Sequence, residues 1–172
     1  ANESLNAIDT VRGRFMQRDF RDQITTGSFY LNRPGRMRFE YDAPSPILLI
    51  SDGAMVAIED RDLETLDAVP LSQTPLNLIL RPNTDLARFA NILAVERKGG
   101  YISLRVSDKT EETQGELVLF FDPETFELKQ WQSIDANGAV TTVQLFSAEY
   151  DVRIPARLFR IEDPEDEDDR RR

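Results

Sequence analysis

Arg33 stands where a strand should be greasy. In the stretch GSFYLNRPGRMRFEY the alternation Gly27, Phe29, Leu31 sets one apolar face, and Arg33 is its next member. A guanidinium on such a face must find acceptors, because an unpartnered buried charge is costly. Two readings are open. Either the strand has ended and Arg33 is solvated, or its fork ties the strand to backbone carbonyls of a covering helix. Little else in the chain offers chemistry. The 31 acidic side chains are scattered along turns and strand exteriors, with no pair spaced for acid–base work. Ser51-Asp52-Gly53 reads as a turn and not a nucleophile elbow, because no helix follows it and the chain has no histidine. The glycines form no phosphate loop. With neither Cys nor His, a cysteine nucleophile, a zinc thiolate site and the commonest general base are all missing. No cofactor, metal site or catalytic residue is expected, and the chain reads as a non-enzyme.

Composition narrows the partners. The net charge of -10 argues against nucleic acid, which needs a basic footprint, and disfavours docking on anionic lipid. A basic partner surface stays compatible with it. The 172 residues, 40% hydrophobic, suit one domain over 1–161 followed by a charged, disordered tail from 162 onward. The longest apolar stretch, near PILLIS, is strand-sized and too short for a membrane-spanning helix. The first residue is Ala1, which suggests a processed N-terminus with a signal peptide removed.

The elements that must position Arg33 are mostly strands. Leu5, Ile8, Val11 and Phe15 recur at steps of three and four. That spacing predicts an amphipathic helix ending near Gln17–Asp19, with Asn2 or Ser4 as its cap. From Gly27 the period becomes two, and Met37, Phe39 and Tyr41 alternate with Arg36, Arg38 and Glu40. PILLIS, AMVAIED and LETLDAV continue an antiparallel meander through the Asp52-Gly53 turn. Thr74-Pro75 then opens a short helix carrying Leu76, Ile79 and Leu80, and Thr84 or Asp85 caps another with Leu86 and Phe89. Strands resume with ILAVERK and run to AVTTVQLFSAE, and RIPARLFRI is a last extended piece. The sum is α+β: one curled antiparallel sheet of about ten strands, an unclosed half-barrel lidded by about three short helices. Its greasy face surrounds either a solid core or an apolar cavity.

Several of these segments resemble the outer-membrane lipoprotein carrier (LolA) family in order along the chain. FMQ at 15–17 is similar to that family's Phe-x-Gln. GSFYLNRPGRMRFEY resembles its Arg-Pro strand pair, LLISDG its Ser-Asp-Gly hairpin, and TPLNLIL its Thr-Pro-opened lid helix. IDANG and LFRIEDP resemble its closing turn and Phe-x-x-x-x-Pro. The Arg-Pro pair and the hairpin are specific in combination and weak singly. The chain departs from the family in having a single tryptophan, Trp131, and no apolar strand after Pro164.

The resemblance implies a periplasmic chaperone that binds the acyl chains of lipoproteins. It would act as a monomer, receive cargo from an inner-membrane ATP-driven transporter and deliver it to an outer-membrane acceptor. The acceptor of this fold is lipid-anchored through an N-terminal Cys, so a chain without Cys resembles the soluble shuttle. The implied acyl-chain cavity is lined by Leu5, Ile8, Phe15, Phe29, Leu31, Met37, Phe39, Tyr41, Leu48, Ile50, Val56, Leu76 and Ile79. The family's gating arginine falls on Arg33, its mouth position on Met37 and its first lid position on Leu76. A lipid-binding sensory or regulatory domain of the same fold is the alternative. An enzyme and a solid structural barrel are weaker ones.

Overall fold

The computed structural model describes residues 1–109 and 115–162. One antiparallel sheet of eleven strands dominates it. Six strands form the first meander: β1 (Thr10–Arg18), β2 (Ile24–Asn32), β3 (Arg36–Tyr41), β4 (Ile47–Asp52), β5 (Met55–Asp60) and β6 (Thr65–Pro70). Five form the second: β7 (Ala90–Lys98), β8 (Tyr101–Asp108), β9 (Glu116–Phe121), β10 (Leu128–Ile134) and β11 (Val140–Tyr150). The meanders join where β1 pairs with β11, which leaves β6 and β7 as unpaired edges. The sheet is therefore curled and not closed. Of the expected tail, all but Glu162 lies outside the described residues.

The N-terminal helix is much shorter than its periodicity predicts. α1 (Asn2–Asn6) ends before Ile8, and Val11 and Phe15 belong to β1. Neither Asn2 nor Ser4 caps it; the cap position is Ala1, with no side-chain hydrogen bond. The cause of the misreading is Gly13, which sits between Val11 and Phe15 on the same strand face. It interrupts the apolar alternation because the ring of Phe29, its partner on β2, lies over it. A Cβ there would come within 2.7 Å of Phe29 Cε1 and 2.9 Å of the Phe146 carbonyl. Steps of three and four then mimic a helix although the true period is two. Opposite Gly13, β11 carries a bulge at Ser147, whose φ is 53°. Such bulges bend a strand and tighten its twist.

The chain passes from edge β6 to edge β7 across the concave face. This crossing contains a 3-10 turn (Leu71–Gln73), α2 (Asn77–Leu80) and α3 (Leu86–Phe89), and it forms the lid. Leu78, Leu80 and Leu86 are buried in one core cluster with Phe29, Phe39, Leu104 and Leu119 of the sheet. Thr74 does not cap α2: its hydroxyl donates to the Leu71 carbonyl, and Leu76 holds the cap position. Asp85 does cap α3, accepting from the Arg88 N–H. On the convex side, RIPARLFRI is not a strand. Its Ala156–Phe159 portion is a 3-10 turn that packs on β3 and β4, and Arg38 donates to the Leu158 carbonyl at 3.2 Å.

Candidate functional site

The concave face and the lid enclose a cavity of about 570 Å³. Strand parity decides which side chains reach it. On β1, β2 and β3 the odd-numbered residues Val11, Phe29, Leu31, Met37, Phe39 and Tyr41 line it. α1 contributes Leu5, the following turn Ile8, and the lid Leu76 and Ile79. The floor is aromatic: Phe29 stacks on Phe39 at 5.9 Å, and Trp131 meets Phe39 edge-on at 5.8 Å.

Four of the residues assigned to this cavity from sequence lie elsewhere. Phe15 is fully buried beneath the floor, edge-on to Phe39 at 4.9 Å and to Tyr41 at 5.0 Å. Val56 is on the concave side but packed into the core cluster. Leu48 and Ile50 are on the other face altogether. They pair across from Glu40 and Arg38, while Leu49 pairs with Phe39 and is the β4 residue that lines the cavity. The C-terminal 3-10 turn packed on β3 and β4 closes off the convex side there, so both faces of β4 are apolar. PILLIS carries no alternation from which to tell inside from outside.

Sequence reasoning missed the far wall. Leu117, Trp131, Val143 and Leu145 of β9, β10 and β11 line the cavity, as do the polar Gln17, Ser133 and Thr141. The signal was available in the alternation Leu117, Leu119, Phe121 and in Thr141, Val143, Leu145. What was missing was the pairing of β1 with β11, which brings that wall around. At the polar end the Tyr41 hydroxyl donates to Gln17 Oε1 at 2.7 Å. Burial pushes the Tyr41 phenol up to about 12. At the opposite end Lys129 pairs with Glu127.

The lid is held down at its middle. Arg33 Nη2 donates to the Arg81 carbonyl and to Thr84 Oγ1, both at 2.8 Å, and reaches Asn6 Oδ1 at 3.4 Å. The Arg81 carbonyl belongs to the C-terminal cap of α2, where no intrahelical donor is available. Arg33 Nε is buried without a partner among the described residues. Burial lowers the guanidinium pKa, and Asp9 partly opposes that. Arg33 is thus turned onto the lid, which settles the choice left open by its position in the alternation.

Three further contacts surround this tie. Gly35 N–H donates to the Leu80 carbonyl at 2.8 Å, and Ser51 Oγ donates to the Gly35 carbonyl at 2.7 Å. The Arg-Pro and Ser-Asp-Gly segments therefore meet at the foot of the lid. From α1, Asn6 clasps the Thr84 backbone both ways, accepting from its N–H at 2.7 Å and donating to its carbonyl at 2.9 Å. The Arg81 guanidinium lies 3.4 Å over the ring of Phe89, linking α2 to α3.

Comparison with known proteins gives this arrangement a context. The family model described as outer membrane lipoprotein carrier protein LolA matches residues 6–162. The chain is 29% identical over 171 residues to an outer-membrane lipoprotein carrier protein of Pseudomonas paraeruginosa, covering 93% of this chain and 80% of that one. It is 31% identical over 155 residues to the protein of that name from Pseudomonas syringae pv. tomato, covering 85% and 72%. Among solved structures, a LolA superfamily protein from Nitrosomonas europaea superposes with a TM-score of 0.54 at 10% identity, covering 94% of each chain. That last likeness concerns the fold alone.

Proposed function

Because this chain belongs to the outer membrane lipoprotein carrier protein (LolA) family, we propose that it shuttles acylated lipoproteins through the periplasm with their acyl chains in the lidded cavity. The observation that carries the reading is an apolar cavity of about 570 Å³ beneath a lid tied by a few hydrogen bonds. Burying acyl chain is worth about 0.8 kcal/mol per methylene, so a chain of about sixteen carbons is held by on the order of 12 kcal/mol. Moving it through water requires a comparable apolar surface that opens and closes. Entry and exit of such a cargo require the lid to lift. Arg33 is the tie that cargo would break.

In this reading cargo arrives from an inner-membrane lipoprotein-releasing transporter and leaves to an outer-membrane acceptor. The protein makes and breaks no covalent bond. Native mass spectrometry after mixing with a triacylated lipoprotein tests the carrier role. A one-to-one complex that disappears when the acyl groups are hydrolysed is expected. Failure to form any acyl-dependent complex overturns it.

A further inference from the structure

The polar end of the cavity has a chemistry of its own. Gln17, Tyr41, Ser133 and Thr141 line it together, at the end where β1 turns into β2. The sheet register explains their meeting: Ser133 pairs across from Thr141, and Val143 pairs with both Gln17 and Trp131. Directly paired side chains in such a ladder stand about 5 Å apart at Cβ, and diagonal ones about 7–8 Å. The Tyr41 hydroxyl donates to Gln17 Oε1, so the Gln17 amide is held with its NH₂ group free to donate. Among the described residues, neither that NH₂ group nor the hydroxyls of Ser133 and Thr141 has a protein partner. The end therefore offers three neutral donors to a guest.

Among the described residues, no cation lines this end. Arg14 and Arg18 are on the other face of β1, alternating with Val11 and Gln17, and Arg14 is engaged by Asp42. The one cation lining the cavity among the described residues is Lys129, already paired with Glu127. It stands four residues from Ser133 along β10, about 13 Å away. An ionised carboxylate or phosphate at the polar end would find hydrogen bonds but no countercharge among the described lining residues, in a setting that already disfavours the tyrosinate of Tyr41. A neutral carbonyl would find donors without that cost.

Resting on the carrier reading, we propose that Gln17, Ser133 and Thr141 form a head-group subsite for the neutral ester or amide carbonyls of an acyl-linked ligand, selecting it over ionised fatty acids. The substrate class is then a carboxylic ester or amide of a long-chain acid, with the chain along the aromatic floor and the linkage at this end.

The test uses diphenylhexatriene, an uncharged apolar dye, as the reporter, displaced by monolauroylglycerol or by laurate at pH 8. The ester should displace the dye at least tenfold more effectively than laurate. The combined variant Gln17→Leu, Ser133→Ala, Thr141→Val should lose that preference, with its affinity for the dye itself within about twofold of the parent. If laurate competes as well as the ester in the parent, or the variant keeps the preference, the subsite is overturned and the carrier reading stands. If the dye and both lipids fail to bind the parent protein, the carrier reading falls as well.

Discussion

Replacing Arg33 by leucine isolates the lid tie from the cavity it closes. The two 2.8 Å hydrogen bonds from its guanidinium are charge-assisted, and such bonds contribute roughly 1.5–3 kcal/mol net each. Part of that gain is offset, because burial desolvates the cation and its Nε is unpaired among the described residues. A net closing contribution of about 2 kcal/mol remains. The acceptors are not stranded by the change: Thr84 Oγ1 still donates to the Arg81 carbonyl at 3.2 Å, and Asn6 still clasps the Thr84 backbone. With these acceptors still engaged, the fold should survive. The lid of the variant should then spend more time raised. If closure of the unloaded protein competes with cargo, removing about 2 kcal/mol tightens cargo binding by roughly thirtyfold, almost wholly as slower release. Stopped-flow transfer of a fluorescent diacylated peptide from the protein to acceptor vesicles measures this directly. Uptake should match the parent protein while transfer slows by one to two orders of magnitude. Equal transfer rates for parent and variant, with melting temperatures also equal, would refute the argument that Arg33 biases the lid.

Three other outcomes follow from the packing and the titrating groups. A Cβ at Gly27 would sit 2.2 Å from the Glu40 carbonyl and 2.5 Å from Phe15 Cε1, so Gly27→Ala should destabilise the fold by at least about 2 kcal/mol in urea titration. Leu48→Ala should cost about 2–5 kcal/mol of stability yet leave acyl-chain affinity unchanged, because Leu48 packs on the convex side; a large loss of affinity in the still-folded variant would contradict that placement. The Tyr41 phenol is raised from its ordinary value near 10 to about 12, so its contribution to stability is complete below pH 10 and drains away as pH rises toward 12. Tyr41→Phe should flatten the stability profile in that window, measured by denaturant unfolding at stepped pH.

Alternation along the strands carried the architecture. Phe29 and Leu31, then Met37, Phe39 and Tyr41, name both the strands and the face they share, and the Thr-Pro segment announces a covering element. Arg33 was conspicuous for the same reason, as a cation at an apolar parity. Two local signals misled. Gly13 hid the period of β1 because its missing side chain makes room for a ring contributed by β2. PILLIS hid its parity because the C-terminal turn covers the outer face of β4.

The amino-acid order by itself determined the strand meander, the lid segment and the inward parity of Met37, Phe39 and Tyr41, since these depend on neighbours within a few residues. Tertiary structure decided that β1 pairs with β11, that Gln17, Ser133 and Thr141 share one end of the cavity, and that Arg33 meets the carbonyl of Arg81. It also decided that the concave face keeps open space beneath the lid. Each of these depends on closing a loop of tens of residues, and its energy comes from contacts that no local period encodes.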